Sequence, residues 1–165
     1  MTLLGRKLSG GGVRLAIAIA GLVLFAIPLA AQKTILTLGG ATIAFPAPTA
    51  ADYINGFVNS TTGVTFTLNS LNGVNRTTTV SINTTSLNLG GGKAIADLEW
   101  RRSDLATWNS ITSTATQVEQ RPMVNKGLND PWTNTIFFRM LLSWTTDAPA
   151  TYTGNYVITL SQTVP

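Results

Sequence analysis

The two acidic residues that lie closest together in the chain are Asp97 and Glu99. On a β-strand, alternate side chains share one face, so the two carboxylates would be close enough to interact. Paired carboxylates can hydrolyse glycosidic bonds or bind calcium. Arg101 and Arg102 follow directly, however, and this charge balance favours a solvated strand face over an acid–base pair with one raised pKa. The pair therefore predicts a structural role.

Other catalytic chemistry is excluded by residue type. The chain contains no histidine and no cysteine, so it lacks the usual zinc ligands, a cysteine nucleophile and a Ser-His-Asp triad. Residues 90–93 read Gly-Gly-Gly-Lys, but Leu87 and Ala94 stand where a phosphate loop requires Gly and Ser or Thr. This stretch predicts a turn. We assign no catalytic, cofactor-binding or metal-ligating residue and interpret the chain as non-enzymatic.

Four tryptophans suggest carbohydrate binding, because their rings offer flat apolar faces. Trp100 and Trp144 fall on apolar rows of predicted strands and are assigned to the core. Trp108 and Trp132 lie near predicted loops, and these two form the candidate ligand face. Residues 120–132 are the longest predicted irregular segment, which is either a binding loop or a plain crossover between sheets.

The N-terminal segment has the three parts of a secretory signal peptide. Its basic residues precede an apolar run over 15–27, Pro28 ends the run, and small residues lead to Ala31. The pattern predicts a signal peptide over residues 1–31 that is cleaved after Ala31. The alternative is an uncleaved anchor, but the run is shorter than the roughly 20 residues of a spanning helix.

The predicted cleavage determines the net charge of the remaining domain and its expected location. The chain has 11 Lys and Arg against 7 Asp and Glu, a net charge of +4, but three of the basic residues belong to the signal segment. The remaining domain, residues 32–165, is nearly neutral, so we expect no nucleic-acid partner. We expect it to be secreted or at the cell surface, with the periplasm as a further location. It would contact a membrane only through the signal segment before cleavage.

Apolar and polar residues alternate through the exported segment. Residues 64–69 alternate, Asn72 and Gly73 follow as a type I′ turn signal, and residues 74–83 alternate again. This pattern predicts one antiparallel hairpin with a solvated face. Further strands are predicted at 35–38, 42–45, 96–101, 108–113, 136–144 and 156–164. With no helical stripe outside the signal segment, the sequence predicts an all-β fold, an Ig-like antiparallel β-sandwich of about seven or eight strands.

A resemblance to a known family lies in the second half of the chain. It is carried by residues 97–101, Trp108, the strand ending at Trp144 and residues 150–160. This series resembles the C-terminal half of spore coat protein U-type secreted domains, which are relatives of chaperone–usher pilus subunits. The chain departs from that pattern because cysteines are absent, Ala150 replaces a Gly and Gly154 replaces an Asp. The resemblance implies an Ig-like extracellular structural domain, without implying assembly by donor strands.

Two functions remain open at this point. The first is a structural or interaction subunit of a cell-surface layer, coat or pilus-like fibre. It would bind itself or other surface proteins through sheet edges, with Ile35, Leu36 and Leu38 as the candidate assembly strand. The alternative is a secreted glycan-binding module that holds polysaccharide at Trp108 and Trp132.

One tyrosine is assigned a structural role. Tyr152 follows a turn and precedes the last predicted strand. Its hydroxyl is predicted to donate to upstream backbone and to fix that corner of the sandwich.

Overall fold

The computed structural model describes residues 17–20, 34–40, 42–71, 73–127, 131–147 and 152–163. These residues form an antiparallel β-sandwich, which confirms the predicted fold class. The strands are β1 (Ile17–Ala20), β2 (Thr34–Gly39), β3 (Thr42–Phe45), β4 (Phe57–Asn59), β5 (Val64–Ser70), β6 (Arg76–Asn83), β7 (Leu98–Arg102), β8 (Asn109–Ser110), β9 (Thr116–Val124), β10 (Trp132–Leu141) and β11 (Val157–Thr163). A helix, α1 (Ala50–Asn55), precedes β4, and a 3-10 helix (Ile95–Asp97) precedes β7.

Two sheets form the layers. The larger sheet has the order β2-β5-β10-β7-β8, with β4 also paired to β10, and the smaller has the order β11-β6-β9. The predicted signal segment lies outside the described residues apart from β1, which pairs antiparallel with β3. Within the described ranges, no helix is long and apolar enough to cross a membrane.

The core lies between the sheets and is filled by every second residue of the strands. Val64, Phe66 and Leu68 of β5 are each fully buried, and Val80 and Ile82 face them from the smaller sheet. Because successive side chains point to opposite faces of a strand, the alternation in the sequence becomes one apolar face on each sheet.

The predicted hairpin is wrong, although both of its strands exist. β5 pairs with β2 and β10, whereas β6 pairs with β11 and β9, so the two strands belong to different sheets. Asn72 lies outside the described residues, and the connection around it carries the chain from one sheet to the other. Alternation identifies the buried face of a strand, but it does not identify the strand's neighbour.

A short helix forms in a part of the chain where the sequence shows no helical stripe. Thr49 caps α1: its hydroxyl accepts a hydrogen bond from the backbone N–H of Asp52, whose carboxylate accepts one in return from the backbone N–H of Thr49. Gly56 ends the helix at φ 77°, a conformation that favours glycine. With six residues, α1 is too short to show a helical stripe in the sequence.

The first part of the irregular segment predicted at 120–132 is a strand. β9 continues to Val124 and pairs with β6, so the prediction of a loop is wrong for residues 120–124. The segment between β9 and β10 does connect the smaller sheet to the larger one, as the crossover interpretation expected. Residues 128–130 of this connection lie outside the described ranges.

The assignment of Trp144 to the core is also wrong. β10 ends at Leu141, and Trp144, whose exposed fraction is 62%, lies in the turn that the N–H of Asp147 closes by donating to the oxygen of Ser143. The indole stacks on the ring of Tyr53, with 4.3 Å between the ring centroids. Trp100 is buried as predicted.

Candidate ligand-binding cleft

The larger sheet carries a cleft of about 350 Å³ on its outer face. Aromatic side chains, two arginines and two small polar residues line it: Phe57, Trp108, Phe137, Arg101, Arg139, Asn59 and Ser60. This composition of apolar faces with a few polar groups is typical of sites that bind small organic groups.

Strand register brings these side chains together. Phe137 of β10 lies opposite Arg101 of β7, and Arg139 lies between Glu99 of β7 and Asn59 of β4. Positions two apart on one strand share a face, so β10 presents its phenylalanine and its arginine to the same side.

Trp108, the residue directly before β8, also lines the cleft. β8 pairs with β7 so that Asn109 lies opposite Trp100. In an antiparallel pair, the residue before Asn109 comes beside the residue after Trp100, which places Trp108 next to Arg101. The ring of Trp108 is half-buried.

The ring of Trp108 contacts two guanidinium groups. Its centroid lies 4.6 Å from Cζ of Arg139 and 5.1 Å from Cζ of Arg101. Arg139 is also 4.9 Å from the ring of Phe57, and Arg101 is 5.4 Å from that of Phe137. The result is a row in which aromatic rings and cations alternate, with each contact in the range of a cation–π interaction.

The cleft has an excess of positive charge. Glu99 Oε2 accepts a hydrogen bond from Arg139 Nε at 2.5 Å and balances that cation. Arg101 Nη1 donates to the backbone oxygen of Leu105 at 2.8 Å, and among the described residues no carboxylate pairs with Arg101. Arg101 Nη1 also donates to the backbone oxygens of Arg102 and Ser103. Within the same ranges, Nε and Nη2 of Arg101 and both Nη atoms of Arg139 have no hydrogen-bond acceptor. These donors match the oxygens of a carboxylate.

The structure does not bring the two predicted ligand-face tryptophans together. Trp108 lines the cleft, but Trp132 lies on the inward row of β10 with an exposed fraction of 6%. Arg121 covers its ring at 4.8 Å. Packing is therefore the observed environment of Trp132.

Neither the two arginines nor Phe57 were predicted as site residues from the sequence. Arg101 was predicted to lie on a charge-balanced strand face, and no role was predicted for Arg139 or Phe57. The period-two pattern of β10 places Phe137 and Arg139 on its outer face. That pattern is the only signal for them, and it does not reveal that Trp108 lies nearby.

The two closely spaced carboxylates are separated in the structure. Asp97 belongs to the 3-10 helix and lies 3.2 Å from Lys93 Nζ, whereas Glu99 belongs to β7 and pairs with Arg139. Residues 90–93 form the predicted turn, in which the N–H of Lys93 donates to the oxygen of Gly90. In the described parts of the chain, no three residues among His, Cys, Asp and Glu come together as metal ligands do.

The candidate assembly strand is the edge strand β2. It pairs with β5, so that Leu36 lies opposite Leu68 and Leu38 opposite Phe66, and both leucines pack against the core. Among the described residues, the other edge of β2 has no strand partner. Ile35 is 45% exposed there.

Tyr152 lies at the predicted corner before β11. It is 2% exposed, and burial, with smaller contributions from Asp147 and Tyr53, raises the pKa of its hydroxyl. Its role in fixing the corner stays a prediction.

Comparisons with known proteins do not assign the chain to a family. No protein-family model matches the chain, and no curated protein matches it.

Proposed function

We propose that the chain is an exported, non-enzymatic domain that binds an acidic polysaccharide in the cleft around Trp108. The observation that supports this function is the contact of one half-buried indole with two guanidinium groups, each of which keeps N–H donors that have no acceptor among the described residues. Arginine pairs with a sugar carboxylate through two parallel hydrogen bonds. The aromatic rings offer apolar faces to the C–H groups of a sugar ring.

The dimensions of the cleft suit a short stretch of polymer. Its row of side chains crosses β4, β10, β7 and β8, which corresponds to roughly 15 Å at the usual spacing between strands. The volume of about 350 Å³ lies at the lower end of the range for ligand sites. The excess charge of Arg101 favours an acidic sugar over a neutral one.

Export supports the same function, because a secreted domain meets polysaccharides outside the cell. We expect the secreted protein to begin at Gln32, after removal of residues 1–31. N-terminal sequencing of protein from the medium and the cell surface checks this. A chain that is still intact and held in the membrane would contradict it.

The binding test compares two forms of one polymer. The secreted protein is run through native gels that contain polygalacturonate or its fully methyl-esterified form. We expect retardation only by the free acid, and less retardation as salt screens the arginines. No retardation by either polymer, or equal retardation by both, would refute the proposal.

A second candidate function is that of a structural subunit, and the free edge of β2 favours it. A strand with one unpaired edge and an exposed Ile35 can pair with a strand of a second copy. Loss of residues 1–31 would also remove β1 from its pairing with β3, which adds a second open edge.

A charged substitution tests assembly better than a deletion, because Leu36 and Leu38 support the core. Ile35→Lys places a charge on the free edge, and Leu105→Lys is the control, since Leu105 is 48% exposed and lies outside β2. Electron microscopy and light scattering of protein from the cell surface should show assemblies that only Ile35→Lys abolishes. Assemblies of unchanged size in that variant, or none in the native protein, would exclude this function.

A further inference from the structure

The most deeply buried cation of the described chain is Lys93, whose side chain is 2% exposed. Its Nζ lies 2.8 Å and 2.7 Å from the two carboxylate oxygens of Asp147, whose side chain is 4% exposed. A second carboxylate, that of Asp97, lies 3.2 Å from the same nitrogen. Lysine is rarely buried to this degree, and neither the cleft nor the β2 edge uses this group.

Three separate turns hold the participants in place. Backbone hydrogen bonds of Lys93 with Gly90 and Leu89 fix the lysine after its glycine turn. The 3-10 helix places the carboxylate of Asp97, four residues after Lys93, beside the lysine's Nζ. The Asp147 carboxylate accepts a hydrogen bond of 2.8 Å from the backbone N–H of Ser143. The three side chains are therefore held in contact by their own turns before any reaction takes place.

We propose that Lys93 and Asp147 form a covalent amide cross-link, with Asp97 as the group that transfers the proton. The carboxyl carbon of Asp147 carries two oxygens that both contact Nζ, so it is roughly 3 Å from the nitrogen, and rotation of the carboxylate about its Cβ–Cγ bond would turn its face toward Nζ.

The step balances without any additional reactant. After one proton passes from the Lys93 ammonium to the Asp147 carboxylate, the lone pair of Nζ forms a bond to Cγ. Asp97 accepts a proton from the nitrogen and returns it to the departing hydroxyl. The Cγ–O bond breaks, and the products are an amide, one water molecule and the regenerated Asp97 carboxylate.

The position of the bond means that it would stabilise the fold. It would join the turn before β7 to the turn after β10, across 54 positions of a chain that has no cysteine. A covalent closure of this length restricts the unfolded chain as a disulfide does.

Mass spectrometry of the secreted protein tests the cross-link directly. We expect an intact mass lower than that of the sequence by one water, about 18 Da, and a branched peptide joining Lys93 to Asp147 after digestion. Peptide mapping is required because cyclisation of an N-terminal Gln32 also lowers the mass, by loss of ammonia. The full mass, or a water loss that maps to other residues, would overturn the proposal.

Variants separate the roles of the three residues. Lys93→Arg keeps the positive charge but should show the full mass of its sequence. Lys126→Arg, at an exposed lysine, should still show a mass lower by one water. Asp97→Asn should slow the loss of water at least about tenfold in a time course after refolding. An unchanged rate in Asp97→Asn would remove Asp97 from the step, and a water loss in Lys93→Arg would overturn the cross-link.

Discussion

Cζ of Arg139 lies 4.6 Å from the ring centroid of Trp108, although β7 separates β10 from β8, the strand that Trp108 directly precedes. The arginine side chain extends across β7, where Glu99 holds its Nε at 2.5 Å. This ion pair fixes the direction of the guanidinium and so its position on the indole. The cleft therefore depends on the neighbouring strands β4, β10 and β7 and on the residue that directly precedes β8.

The first prediction concerns Trp132, which was expected on the ligand face and is 6% exposed. Trp132→Ala should lower the free energy of unfolding by about 3 to 5 kcal/mol, because it leaves a cavity beneath Arg121. Urea titration measures this loss. Below its melting temperature, the variant should still bind acidic polysaccharide, and a stable variant without binding would return Trp132 to the ligand face.

The second prediction concerns the corner at Tyr152. Tyr152→Phe keeps the buried ring and removes the hydroxyl, so it should lower the free energy of unfolding by about 1 kcal/mol. Tyr53→Phe is the control, since Tyr53 is only partly buried and stacks on Trp144. A thermal midpoint of Tyr152→Phe that equals that of the wild type would contradict the corner role.

The third prediction is a pH dependence in alkali. Burial raises the pKa of Tyr156 from 10.0 to about 12, because the fully buried hydroxyl is stable only in its neutral form. The stabilising contribution is thus complete below pH 10 and is lost as the pH rises from 10 to about 12. In urea titrations over this range, Tyr156→Phe should lose less stability than the wild type. Equal losses would show that Tyr156 does not govern the alkaline limit.

The inner faces of the strands could be predicted from the sequence, but the pairing of the strands could not. Alternation at residues 64–69 and 74–83 correctly identified buried positions in β5 and β6. Each pattern shows only which side chains of a strand face the core. β5 and β6 both face the core, but they do so from opposite sheets. The turn signal at Asn72 and Gly73 describes a local preference, and it does not determine which strands pair with each other.

The same limit explains the errors at Trp144 and in the cleft. In the sequence, the apolar row of β10 continues to Trp144. In the structure, hydrogen bonds between Ser143 and Asp147 form a turn after the strand has ended. Asp147 is itself held by Lys93, a contact that no local pattern contains. Likewise, Trp108 could be selected as an aromatic near a loop, whereas its arginine partners depend on the order β10-β7-β8.

The most direct test of the proposed function is a calorimetric titration with oligogalacturonate on the wild type, Trp108→Ala and Trp144→Ala. The two variants have the same charge as the wild type and each loses one surface indole, inside or outside the cleft. We predict binding that Trp108→Ala weakens at least about tenfold and that Trp144→Ala leaves unchanged. No binding by the wild type, or equal affinities for the wild type and Trp108→Ala, would contradict the assignment of the cleft as the ligand site.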